Sequence, residues 1–150
     1  MTETPQTTAS QPSEADKDAQ AGPTLYFDGS CALCTVEIGH YASRDGGDRL
    51  CFVDVSKSGV DLGGDLARET AMHRFHVRLS NGTLKSGAEG FVAIWDALPG
   101  WRWAACLARL PGMMWVLETG YRLFLPIRPV LSLAARWLGA KPANGHTSRS

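Results

Sequence analysis

The stretch TLYFDGSCALCTVEIGHY, Thr24 to Tyr41, joins a short β-prone run, an Asp-Gly break and two cysteines three residues apart. Thr24 to Phe27 shows no clear alternation, the look of a strand covered on both faces, and Asp28-Gly29 ends it. Ser30 suits a helix N-cap, its hydroxyl accepting an orphan amide of the first turn, which makes Cys31 the first helical residue. From there Leu33 or Cys34, Ile38, and Tyr41 with Ala42 recur every three to five residues, and RDGGD at 44–48 stops the helix. LCFVDV at 50–55 reads as a second strand, so strand, helix and strand follow one another within about 30 residues as a βαβ unit.

Outward from that unit, SKSGVDLGGD is a loop and Leu62 to Met72 is at best a short, polar helix. FHVRL at 75–79 is a third strand, Asn81-Gly82 a strong hairpin signal, and TLKS at 83–86 the returning strand. AEGFVAIWDAL carries Phe91, Ile94, Trp95 and Leu98 at helical spacing and closes at Pro99-Gly100. The order β-α-β-α-β-β-α predicts an α/β, thioredoxin-like core over 24–100, with the cysteine pair where the first strand enters the first helix.

A chain of 150 residues fits one domain able to bury a core without staples, and 44% apolar with 20% charged residues is ordinary for a globular protein. Zero formal net charge gives nucleic-acid binding no electrostatic support. The zero hides an asymmetry: residues 1–100 hold 8 Lys/Arg against 14 Asp/Glu, and residues 101–150 hold 7 against 1. Four cysteines, unevenly placed, do not make a secreted disulfide scaffold. Residues 1–23 have neither a basic start nor an apolar run and read as a disordered leader. With no apolar run of ~18 residues for a spanning helix, the default setting is a reducing cytoplasm.

There a Cys-x-x-Cys pair is catalytic, metal-binding or simply structural. Only a thiolate attacks a disulfide, and the positive end of a helix favours the anion. Cys31 is thus the better nucleophile, and Cys34, one turn deeper on the same face, can resolve the mixed disulfide. No cofactor is required. The rival is a Cys₂His₂ zinc set of Cys31, Cys34, His73 and His76, but His-x-x-His is short for zinc and a strand would put its two histidines on opposite faces. Glu37 is a candidate proton acceptor for Cys34 or a solvated helix charge; Asp28 braces the turn; His76, and second to it His73, could approach the cysteines, with His76 either a modulator of the thiolate or a hydrogen-bonded strand histidine. Cys51 and Cys106 read as small buried hydrophobes.

YFDGSCALCTVE closely resembles the signature of the DCC family of thiol-disulfide oxidoreductases: an aromatic strand, Asp-Gly, one residue, Cys-x-x-Cys, then Glu. FHV, NGTLKSGAEGFVAIWDALPG and WRWAACLARLPG…YRLF extend the resemblance over Leu25 to Arg128. It implies a thioredoxin-like domain acting on protein or small-molecule thiols and disulfides, with Cys31 and Cys34 as redox pair and Asp28, Gly29 and Glu37 as the other signature residues. The chain has Ala32 where many members have Pro. It also lacks any proline between Pro23 and Pro99, so HRFHV stands where thioredoxins place a cis-proline.

Residues 101–139 read as a helical extension punctuated by Pro111-Gly112, Pro126 and Pro129, and 140–150 as a disordered tail. The simpler reading packs these helices on the core with their arginines facing water. A basic amphipathic surface for anionic lipid, or an oligomer contact, are the alternatives.

Overall fold

The computed structural model describes residues 22–141. Strands β1 (Thr24–Phe27), β2 (Cys51–Asp54), β3 (His76–Arg78) and β4 (Leu84–Ser86) form one mixed sheet in the order β2-β1-β3-β4. β1 runs parallel to β2 and antiparallel to β3, with Leu25 level with Phe52 on one side and Val77 on the other. A parallel pair needs a crossover, supplied by α1 (Ala32–Ala42). The antiparallel pair β3 and β4 needs only the turn at Asn81-Gly82, where Gly82 takes φ 84°. The remaining helices are α2 (Arg68–His73), α3 (Ala88–Ala97), α4 (Arg102–Ala108) and α5 (Met113–Trp137). This is a thioredoxin-like α/β fold.

Alternation along β1 gives each sheet face its own core. Leu25 and Phe27 join Val77, Ile38 and Tyr41 of α1, and Ile94 with Leu98 at the end of α3. Tyr26 points the other way, onto Val55, Leu62, Leu66 and Ala71. Leu62 and Leu66 are buried but not helical, since Gly63 at φ 76° breaks the run and α2 starts only at Arg68.

The expected leader and tail lie outside the described residues except at their inner ends. There the Pro23 carbonyl accepts the Cys51 amide at 3.0 Å, and the Ala140 amide donates to the Ala135 carbonyl at 2.9 Å.

The C-terminal region departs from expectation in two ways. Pro126 and Pro129 do not end a helix; α5 runs 25 residues through both. Each proline removes a donor, leaving the carbonyls of Arg122 and Leu125 without their helical partners, but tertiary contacts hold the helix on either side. Before the prolines, Glu118 pairs with Arg74 and accepts the Ala88 amide, and the Tyr121 hydroxyl accepts the Phe75 amide at 2.9 Å. After them, the Ser132 hydroxyl accepts the Ala32 amide at 3.1 Å and Arg136 donates to the Ser30 carbonyl at 2.9 Å. The second departure is polarity: Arg128 is turned inward, its side chain 16% exposed, while Leu123 and Val130 are 66% and 64% exposed. Among the described residues no helix is long and apolar enough to cross a membrane.

Candidate active site

Beyond Phe27 the chain turns sharply. Asp28 Oδ1 accepts the Ser30 amide at 2.9 Å and its hydroxyl at 2.5 Å, an Asx turn. The Gly29 amide donates to Asp54 Oδ1 at 2.9 Å, and a Cβ on Gly29 would lie 2.1 Å from Asp54 Oδ2. That close approach demands glycine. The N-cap expected at Ser30 belongs instead to Cys31, because the Ser30 hydroxyl is spent on Asp28. Cys31 is extended (φ −88°, ψ 110°), its sulfur accepts the Cys34 amide at 3.3 Å, and the helix opens at Ala32.

A cap sulfur gathers donors. The Cys34 thiol donates to Cys31 Sγ at 2.7 Å, and both cysteines are free. The Cys31 pKa is lowered to about 5, first by the Cys34 thiol; the Cys34 amide, the Arg128 guanidinium and the Ser132 hydroxyl add to this, against burial. The same thiol bond, together with burial, pushes the Cys34 pKa far up. One sulfur is therefore an anion at neutral pH and the other a firmly held thiol.

The two sulfurs also border different spaces. Cys31 faces an open groove of about 720 Å³, whose walls include His73 and Met72 on one side and Pro129, Ser132 and Arg136 on the other. Cys34 borders an inner cavity of about 30 Å³ that Glu37, Tyr121 and Arg128 also line. Burial raises the pKa of Glu37, partly countered by the Tyr41 hydroxyl, which donates to Oε1 at 3.3 Å.

Arg128 ties these parts together. Its guanidinium donates to Asp28 Oδ2 at 3.0 Å and to the Met72 carbonyl at 3.3 Å. Burial pulls its pKa down, but the thiols and Asp28 more than offset that, so it stays charged. Sequence reasoning did not assign Arg128 to the site: it stands 100 residues from Asp28. Its only signal was its place at the end of the family-like segment. Ser132 and Arg136 carried none.

His76 lies in β3 opposite Tyr26, on the sheet face turned away from α1. It is buried, its Nδ1 sits 2.7 Å from the Arg74 carbonyl, and burial lowers its pKa. It borders neither space at the cysteines; His73, the last residue of α2, is the histidine that reaches the groove. Among the described residues no group of three or more His, Cys, Asp and Glu side chains is assembled that could hold a metal, so the Cys31, Cys34, His73, His76 set does not converge. Cys51 and Cys106 are exposed rather than buried. Cys51 stands on an edge strand, and α4 buries Ala104, Ala105 and Ala108, which turns Cys106 outward.

No curated protein and no solved structure matches the chain. The family model of the DCC1-like thiol-disulfide oxidoreductases matches residues 25–134. That span runs from β1 into α5 and contains every residue placed around the two sulfurs except Arg136, and the chain belongs to the DCC1-like thiol-disulfide oxidoreductase family.

Proposed function

We propose that this chain exchanges dithiol for disulfide, with Cys31 attacking and Cys34 resolving. The observation that carries the reading is the asymmetry of the two sulfurs: Cys31 caps the helix, accepts from Cys34 and faces the open groove, while Cys34 borders the smaller inner cavity with Glu37. The Cys31 thiolate attacks a substrate disulfide, forms a mixed disulfide and expels one substrate sulfur as thiolate. Cys34 then gives up its proton and attacks Cys31 Sγ, releasing the second substrate sulfur and leaving the Cys31–Cys34 disulfide. Two electrons pass to the substrate, and an external dithiol returns them.

Glu37, its pKa raised toward that of a useful base, is the proton acceptor for Cys34. The inner cavity, which both Cys34 and Glu37 line, has room for water to carry that proton. Asp28 and Arg128 are positioning residues: the carboxylate fixes the guanidinium, which supports negative charge on Cys31 as it forms. The substrate is a protein or small-molecule disulfide, no organic cofactor takes part, and a reducing cytoplasm would keep the pair in its reactive form.

The test is capture. Cys34→Ser should accumulate a mixed disulfide with a model disulfide such as dithiobis(nitrobenzoate), with one thionitrobenzoate expelled, and Cys31→Ser should not. Equal trapping by both variants, or one tightly bound zinc per chain whose removal unfolds the protein, would overturn the assignment.

A further inference from the structure

The helix that completes the site, α5, turns its apolar side away from it. Along α5, Trp115, Leu123, Val130 and Trp137 are spaced eight, seven and seven residues apart, which lays them in one stripe at 3.6 residues per turn. All four are exposed, Trp137 at 91%. α4 adds Trp103 and Leu107. The charges of α5 lie elsewhere: Glu118, Arg128 and Arg136 bond to the core, and Arg122 sits at the margin on Glu118. Such a face is far more apolar than water tolerates over a contiguous area. Neither 1–21 nor 142–150 contains an apolar run that could cover it.

Charge selects the occupant. Between 101 and 141 the chain keeps Arg102, Arg109, Arg122, Arg136 and Lys141 at the surface, while Arg128 is turned inward onto Asp28; Asp96 meets Arg109, and the single acid of the stretch, Glu118, is already paired with Arg74 and Arg122. A second copy would bring one cationic rim against another with no free acid to meet it. An anionic surface meets the same rim with attraction, and exposed tryptophans at 103, 115 and 137 suit the boundary between headgroups and acyl chains. Among the described residues no helix is long and apolar enough to cross a membrane, so contact with such a surface would have α5 lying along it.

We propose that the outer face of α4 and α5 docks on an anionic lipid bilayer. Leu133 is exposed and also lines the groove at Cys31, so the groove opens at the edge of the docked face. The docking stands independently of the exchange chemistry.

Flotation of the full chain with vesicles tests it, using phosphatidylcholine alone and phosphatidylcholine mixed with phosphatidylglycerol. The protein should float with the anionic vesicles only and be released by high salt. Leu123→Glu/Val130→Glu should lower partitioning by more than ~tenfold, from the apolar area withdrawn, while helical circular dichroism and reactivity of Cys31 are retained. Absence of flotation on anionic vesicles would overturn the proposal, as would equal flotation on neutral ones. So would a dimer in light scattering that Val130→Glu dissolves, which would give the face to a second copy.

Discussion

At Cys31 a single sulfur serves as helix cap and, in the proposed exchange, as nucleophile. A capping group accepts amide hydrogens that the first turn leaves unpaired, and an anion accepts them best, so the geometry that ends the strand also stabilises the thiolate. Arg128 adds a full positive charge where the helix end gives only a partial one. Alkylation of the reduced protein by iodoacetamide should therefore follow a titration with its midpoint near 5, with Cys31 modified far ahead of Cys34. Arg128→Gln should move that midpoint upward, because the thiolate loses a donor and a charge while the thiol loses neither. An unchanged midpoint would mean that the helix end and Cys34 suffice without the arginine.

Among the elements, α5 is a helix held by its contacts rather than by its own sequence. Two prolines remove donors from its middle, and a Gly, two Thr/Ser and several β-branched residues lower its propensity. Polar anchors on each side of the break compensate, and Tyr121 is the one that reaches the sheet. Its hydroxyl takes the amide of Phe75, just before β3, in the place where thioredoxins carry their cis-proline. Tyr121→Phe would strand that amide, and urea unfolding should show a loss of about 1–2 kcal/mol. A loss of only a few tenths would mean that water satisfies Phe75 and that the other anchors of α5, among them Glu118, Arg128 and Ser132, hold it without Tyr121. This element was the least legible part of the chain: proline reads as a stop because local rules see the missing donor and not the partner that replaces it.

For the molecule as a whole, the depressed thiol couples folding to pH. The Cys31 pKa is about 5 when folded and about 8.5 for a free cysteine. Between these values the unfolded chain holds a proton that the folded one lacks, so this contribution is full above the unfolded value and is lost as pH falls through the folded one. Glu37, raised first by burial and further by the Cys31 charge, works in the opposite sense, and comparison with Cys31→Ser removes the burial part, which the two proteins share. The stability advantage of the reduced wild type over that variant should shrink as pH is lowered from about 8.5 toward 5. A constant difference would show that the thiolate is no more stable folded than unfolded.

The sequence by itself determined the sheet and the place of the pair. β-prone runs, an Asp-Gly break, an Asn-Gly turn and helical spacing are signals written within a few residues, and strand, crossover and hairpin follow from them in order. It also marked Asp28 as a brace and Cys31 as the thiol at the helix mouth. What surrounds that thiol was decided by the tertiary structure. Arg128, Ser132 and Arg136 arrive from the far end of the chain. Their spacing from the cysteines encodes nothing, since only the docking of α5 onto α1 brings them there. The same docking turned charge inward and apolar surface outward, which a helix period reports as amphipathic without saying which side faces water.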